Sequence, residues 1–125
     1  MIWTILQVSL GGALGAAARF LTGVGVMRLT GPGFPYAILT VNVVGSFLMG
    51  FLVVYLASRS ISHLSPFLLT GILGGFTTFS AFSLEAFTLY ERGQTTAALI
   101  YVGASVAGSI VALGLGVLAA RGIYV

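Results

Sequence analysis

Phenylalanine and hydroxyl residues alternate through one short stretch of this chain. Phe76, Phe79 and Phe82 recur at i, i+3 and i+6, and Thr77, Thr78, Ser80 and Ser83 fill positions between and beside them. None of these groups is a strong acid or base, so the chemistry they offer is non-covalent. A phenyl ring carries a positive edge and a negative face, and each hydroxyl supplies one donor. Ring edges beside hydroxyl donors make a lane that accepts a small anion without a fixed cation to trap it. Conduction needs sites of this kind, favourable to enter and weak enough to leave. Aromatics at this spacing in an apolar helix ordinarily contact lipid or core, and the interleaved hydroxyls set this stretch apart.

Further polar residues extend the set. Asn42 and Ser46 stand at i, i+4, and the Asn42 amide brings two donors; it serves either a lane or a clamp between helices. Tyr101, Ser105 and Ser109 recur every four residues, aligning hydroxyls along one helical face for about two turns. Single serines often bond back to a helical carbonyl, but three in register argue for a polar track. Arg19 lies inside an apolar segment, where a guanidinium is a functional hypothesis by default. Its alternatives are snorkelling to the interface and capping carbonyls of a broken helix. Glu85 is the one carboxylate inside such a segment: a proton site, an Arg19 partner, or a residue beside a water-filled vestibule.

The elements that must hold these residues are membrane helices. Of the 125 residues, 58% are hydrophobic and 6% charged, with a mean hydropathy of +1.14, far from the about 25% charged of globular chains. Four apolar spans follow, at 2–27, 36–57, 66–90 and 95–120, each at or above the roughly 20 residues needed to cross a bilayer. The fold class is an all-α integral membrane protein, one four-helix transmembrane domain that fills the chain. The third span is expected to break near Gly74-Gly75, because glycine costs a helix about 1 kcal/mol relative to alanine. A break at membrane depth must face protein or a water-filled cavity. Gly11, Gly12 and Gly15 mark a close-approach surface on the first span. Ala104, Gly108, Ala112 and Gly116 mark another on the fourth, in the small-xxx-small pattern.

Charge excludes several function classes. The net charge is +3 with lysine absent and five single arginines, so there is no basic patch for nucleic acid. Zero cysteines exclude thiolate and disulfide chemistry. The amino terminus lacks the basic region and cleavage pattern of a signal peptide, so the first span is read as retained. There is no aspartate to complete a triad with His63, and the chain is read as not an enzyme. Across four spans, Arg59 and Arg121 fall on one side and Arg28 and Arg92 on the other. The positive-inside rule sets orientation by such a bias, and a two-against-two tally suggests insertion both ways up. Closed two-fold dimers are the commonest assembly, and four helices are few to enclose a pathway, so an antiparallel, dual-topology homodimer is expected.

With these pieces in order, the whole chain resembles the Fluc, or CrcB-type, fluoride channel family. The resemblance rests on residues 11–16 leading to Arg19, residues 40–45, the highly specific run 71–83 followed by Glu85, and residues 101–109. It implies antiparallel dimers with two parallel anion pores off the two-fold axis. By similarity, Phe79 and Phe82 match the pore phenylalanines, Asn42 the pore asparagine, and Tyr101, Ser105 and Ser109 the polar track, with Thr78 and Ser80 as neighbouring donors. Gly74 and Thr77 match positions whose carbonyls hold a structural sodium ion on the axis. The implied function is passive export of fluoride across the bacterial inner membrane, protecting the cell from fluoride toxicity. Ala81 departs from the family's common threonine, which removes one hydroxyl near the rings. Only the resemblance names fluoride; residue chemistry alone argues for a small anion. Two rival classes share some features. A cation-coupled four-span transporter needs a carboxylate, typically in its first span, where this chain has Arg19. A non-transporting assembly subunit gains nothing from a break followed by hydroxyls and rings.

Overall fold

The computed structural model describes residues 1–125 and contains helices and no strand. Its elements are α1 (Ile2–Thr30), α2 (Tyr36–Ser58), α3 (66–76), α4 (Phe79–Glu91) and α5 (Thr95–Tyr124), with a short 3-10 turn Ser62–Leu64 before α3. Within α3, Pro66–Leu73 is π-helical and Gly74–Phe76 closes as an α turn. Pro66 opens it, where its missing N–H leaves no bond unmade. Four segments are long and apolar enough to span a membrane: α1, α2, Ser62–Glu91 and α5, with mean hydropathies of 1.4, 2.2, 1.5 and 2.0. The chain is a multi-pass membrane protein. Helices α1 and α5 run to Thr30 and Tyr124, beyond the apolar limits at 27 and 120, with Arg28 and Arg121 in their last turns.

Only 16 of 125 residues are buried, and large apolar side chains such as Leu14, Phe20, Ile110 and Leu118 face outward. In lipid this exposure costs nothing, and association depends on close backbone approach instead. Two interfaces do this. A side chain on Gly71 would stand 2.9 Å from the Gly11 Cα, and one on Gly75 would stand 2.6 Å from the Gly12 carbonyl oxygen; both distances are shorter than real Cβ contacts, so α1 and α3 touch through bare main chain. Gly11 and Gly15 meet the main chain of Phe67 and Ile72 in the same way. On the other side, Gly50 of α2 lies against the Leu113 carbonyl and Gly116 of α5 against that of Phe47.

The buried face of α5 differs from the expected one. Tyr101, Ser105, Ala112, Gly116 and Ala120 are buried, and Ala104 is exposed. The hydroxyl track and the small-residue seam are therefore one continuous stripe. Ala98 and Tyr101 begin it, packed with Phe82 and Leu89 in a small cluster beneath Phe34, Ile38 and Leu39.

The break in the third span falls just past Gly74-Gly75 rather than at the glycines themselves. Gly74 keeps right-handed helical angles, φ −62° and ψ −37°. The chain turns extended at Thr77 (φ −88°, ψ 158°) and Thr78 (φ −154°, ψ 122°). Gly71 and Gly75 are spent on contact with α1, which supports the helix at that point. The interruption comes where Thr78 meets the Asn42 amide of α2, while Thr77 bonds back to Leu73.

Candidate functional site

Three side chains determine which main-chain groups at the break are used. The Asn42 Nδ2 donates to the Thr78 carbonyl at 2.9 Å, and the Thr78 N–H donates to the Asn42 Oδ1 at 2.8 Å. The amide thus pairs with Thr78 as a neighbouring strand would, holding it extended. Arg19 Nε donates to the Gly75 carbonyl at 3.1 Å, placing a cation at the carbonyl end of α3, where the helix dipole favours it. Thr78 Oγ1 accepts from the Ala81 N–H at 3.1 Å, capping the start of α4. Ser80 Oγ lies 3.4 Å from that same hydroxyl, and Ser83 bonds back to the Phe79 carbonyl at 3.0 Å.

What remains unused is specific. The N–H groups that would answer Gly74 and Thr77 in an unbroken helix are those of Thr78 and Ala81, and both are taken. The Thr77 carbonyl therefore accepts no main-chain hydrogen bond, and the Gly74 carbonyl loses its helical partner. Gly74 lies on the exposed surface. A break this deep in a lipid-spanning segment leaves such groups only where a polar occupant or another chain meets them.

Beside the break is a cavity of about 270 Å³ lined by Asn42, Ser46, Thr78, Phe79, Phe82, Ser105 and Ser109, among others. No charged residue lines it. The rings of Phe79 and Phe82 stand 5.4 Å apart at 53°, and Phe82 and Tyr101 follow at 5.3 Å and 41°. Tyr101 meets Phe34 edge-on, 5.6 Å away at 87°. Phe82 is 8% exposed and Phe79 77%, so one ring is a wall and the other a flap at an open edge. Ser105 Oγ and the Tyr101 hydroxyl are buried with no partner. An unpaired buried polar group costs about 1–3 kcal/mol. Ser105 faces this cavity, whereas fully buried Tyr101 sits behind Phe82 and does not line it.

A larger hollow of about 900 Å³ lies toward the loop between α1 and α2 and includes Arg19, Arg28, Arg92 and Glu85. Three guanidiniums against one carboxylate leave it net positive by two. Glu85 makes no ion pair with Arg19 within 4.0 Å. In the sequence Arg28 and Arg92 mark topology alone, and their position on one side, after the first and third spans, is the signal that brings them to one hollow.

Residues 6–117 match the family model described as CrcB-like protein, Camphor Resistance (CrcB). A protein of Ruegeria sp. (strain TM1040) named fluoride-specific ion channel FluC is 59% identical over 124 residues, covering 98% of both chains. A protein of the same name from Cereibacter sphaeroides is 63% identical over 122 residues, again 98% of each. A third, from Mesorhizobium japonicum, is 50% identical over 121 residues, 96% of this chain and 98% of its own.

Proposed function

This chain belongs to the CrcB-like family, whose members are ion channels rather than enzymes, and from that premise we propose that it is a fluoride-selective channel. The observation that carries the reading is the cavity beside the break. It offers an amide, hydroxyls and phenyl edges, holds an unpaired Ser105 hydroxyl, and contains no fixed charge. A small, strongly hydrated anion exchanges water for donors there, and no cation retains it. The net-positive hollow with Arg19, Arg28 and Arg92 draws anions to one mouth.

Two chains complete the conduit. The cavity is open along the edge where Phe79 is exposed, and the even division of loop arginines favours a partner inserted the other way up. An antiparallel two-fold dimer closes that edge twice, giving two pores off the axis. Gly74 and Thr77 would hold the sodium ion, since their carbonyls are released from helical bonding and Gly74 lies on the exposed surface. Such an ion supplies positive charge among converging carbonyl dipoles and locks the two chains together. Fluoride that enters a bacterium as neutral acid and ionises inside then leaves passively across the inner membrane, which limits its toxicity.

Efflux from liposomes containing the purified protein tests this. Fluoride should leave rapidly down its gradient while chloride is retained. Equal efflux of both halides removes the selectivity, and no flux at all supports an assembly subunit. Fluxes driven by protons instead point to a coupled transporter.

A further inference from the structure

We infer that Arg19 and Asn42 are positioning residues that select which carbonyls of the break stay free, and so couple the anion lane to the cation site on the axis. This rests on the sodium reading above. The break exposes a short run of main-chain groups, and only some are captured. Arg19 takes Gly75, Asn42 takes both polar groups of Thr78, and the Thr78 hydroxyl takes Ala81. The carbonyls that lose their helical partners are those of Gly74 and Thr77.

The two clamps come from different helices. Arg19 is on α1 and Asn42 on α2, and between them they fix the last turn of α3 and the first residue past it. Asn42 also lines the anion cavity, and Arg19 lines the net-positive hollow. A residue facing each anion compartment therefore holds the main chain that carries the proposed cation ligands. Arg19 spends Nε on the clamp, so its charge is not its only contribution. Lysine keeps that charge in the hollow and loses the planar donor that reaches Gly75. Asn42→Asp keeps the acceptor for the Thr78 N–H but sets a carboxylate oxygen against the Thr78 carbonyl.

The experiment measures fluoride efflux from liposomes at graded sodium, with N-methylglucamine as the replacement cation, for wild type, Asn42→Asp, Arg19→Lys and Ser109→Ala. Ser109 lines the same cavity as Asn42 and bonds none of the break's main chain. Loss of one or two clamp bonds should raise the half-maximal sodium concentration about tenfold in Asn42→Asp and Arg19→Lys. Ser109→Ala should lower the flux and leave that midpoint unchanged. Unmoved midpoints in both clamp variants overturn the inference. A wild type indifferent to sodium removes the sodium reading itself, and amide hydrogen exchange over residues 77–81 then decides the clamp. Exchange there should be about tenfold faster in Asn42→Ala than in Ser109→Ala, and equal exchange overturns the positioning role.

Discussion

Helix α5 and the third span are both rich in glycine, yet only one of them breaks. Helix α5 carries Gly103, Gly108, Gly114, Gly116 and Gly122 and remains continuous over 30 residues. The third span carries Gly71, Gly74 and Gly75 and opens two residues after the last of them. No side chain bonds the main chain of α5, whereas Arg19, Asn42 and Thr78 all bond that of the third span. Glycine in these helices permits contact between backbones. Competition from polar side chains is what ends the helical ladder.

This contrast can be broken most directly in α5 itself. Gly116 lies against the Phe47 carbonyl and Gly114 has open space around it. Gly116→Ala should therefore destabilise the protein by about 3 kcal/mol, since backbone cannot yield as a side chain does. Gly114→Ala should be neutral, or stabilising by up to about 1 kcal/mol through helix propensity. Thermal unfolding in detergent measures both, and equal effects would refute the assignment of these glycines to close approach.

At the break, Asn42→Asp and Phe79→Ile should each lower fluoride efflux by more than about tenfold, the first by spoiling the paired bonds to Thr78 and the second by removing a ring edge. Unchanged rates in both detach the cavity from the pore. Thr78→Val removes the cap of α4 and should cost about 1 kcal/mol of stability, with Thr78→Ser retaining it; identical melting of the two variants disproves the capping role. The smallest effect belongs to Ala81→Thr. Ala81 contributes its N–H to the Thr78 hydroxyl, a bond that does not involve its side chain, so efflux should stay within about twofold. A larger loss would mean that the missing hydroxyl is compensated elsewhere in the lane.

Much of the architecture was legible because lipid imposes it. A chain this apolar needs helices of about 20 residues or more, and the four spans follow from hydropathy alone. The close-approach glycines of α1 were legible from spacing too, since Gly11 and Gly15 meet α3 directly. The cavity was legible in part. Asn42, Phe79, Phe82, Ser105 and Ser109 gather as their periodicity suggests, while Tyr101 turns inward behind Phe82, a packing choice that spacing does not encode.

By itself, the sequence determined where the membrane lies, which residues bring hydroxyls and rings to its interior, and that a break must occur in the third span. Only the tertiary structure decided that the break sits at Thr77 and Thr78. Helix propensity is local and small, about 1 kcal/mol for a glycine, and close contact with α1 outweighs it at Gly75. Capture of Thr78 by Asn42 joins residues 36 positions apart, and a long-range bond of this kind exists only once α2 and the third span have packed together.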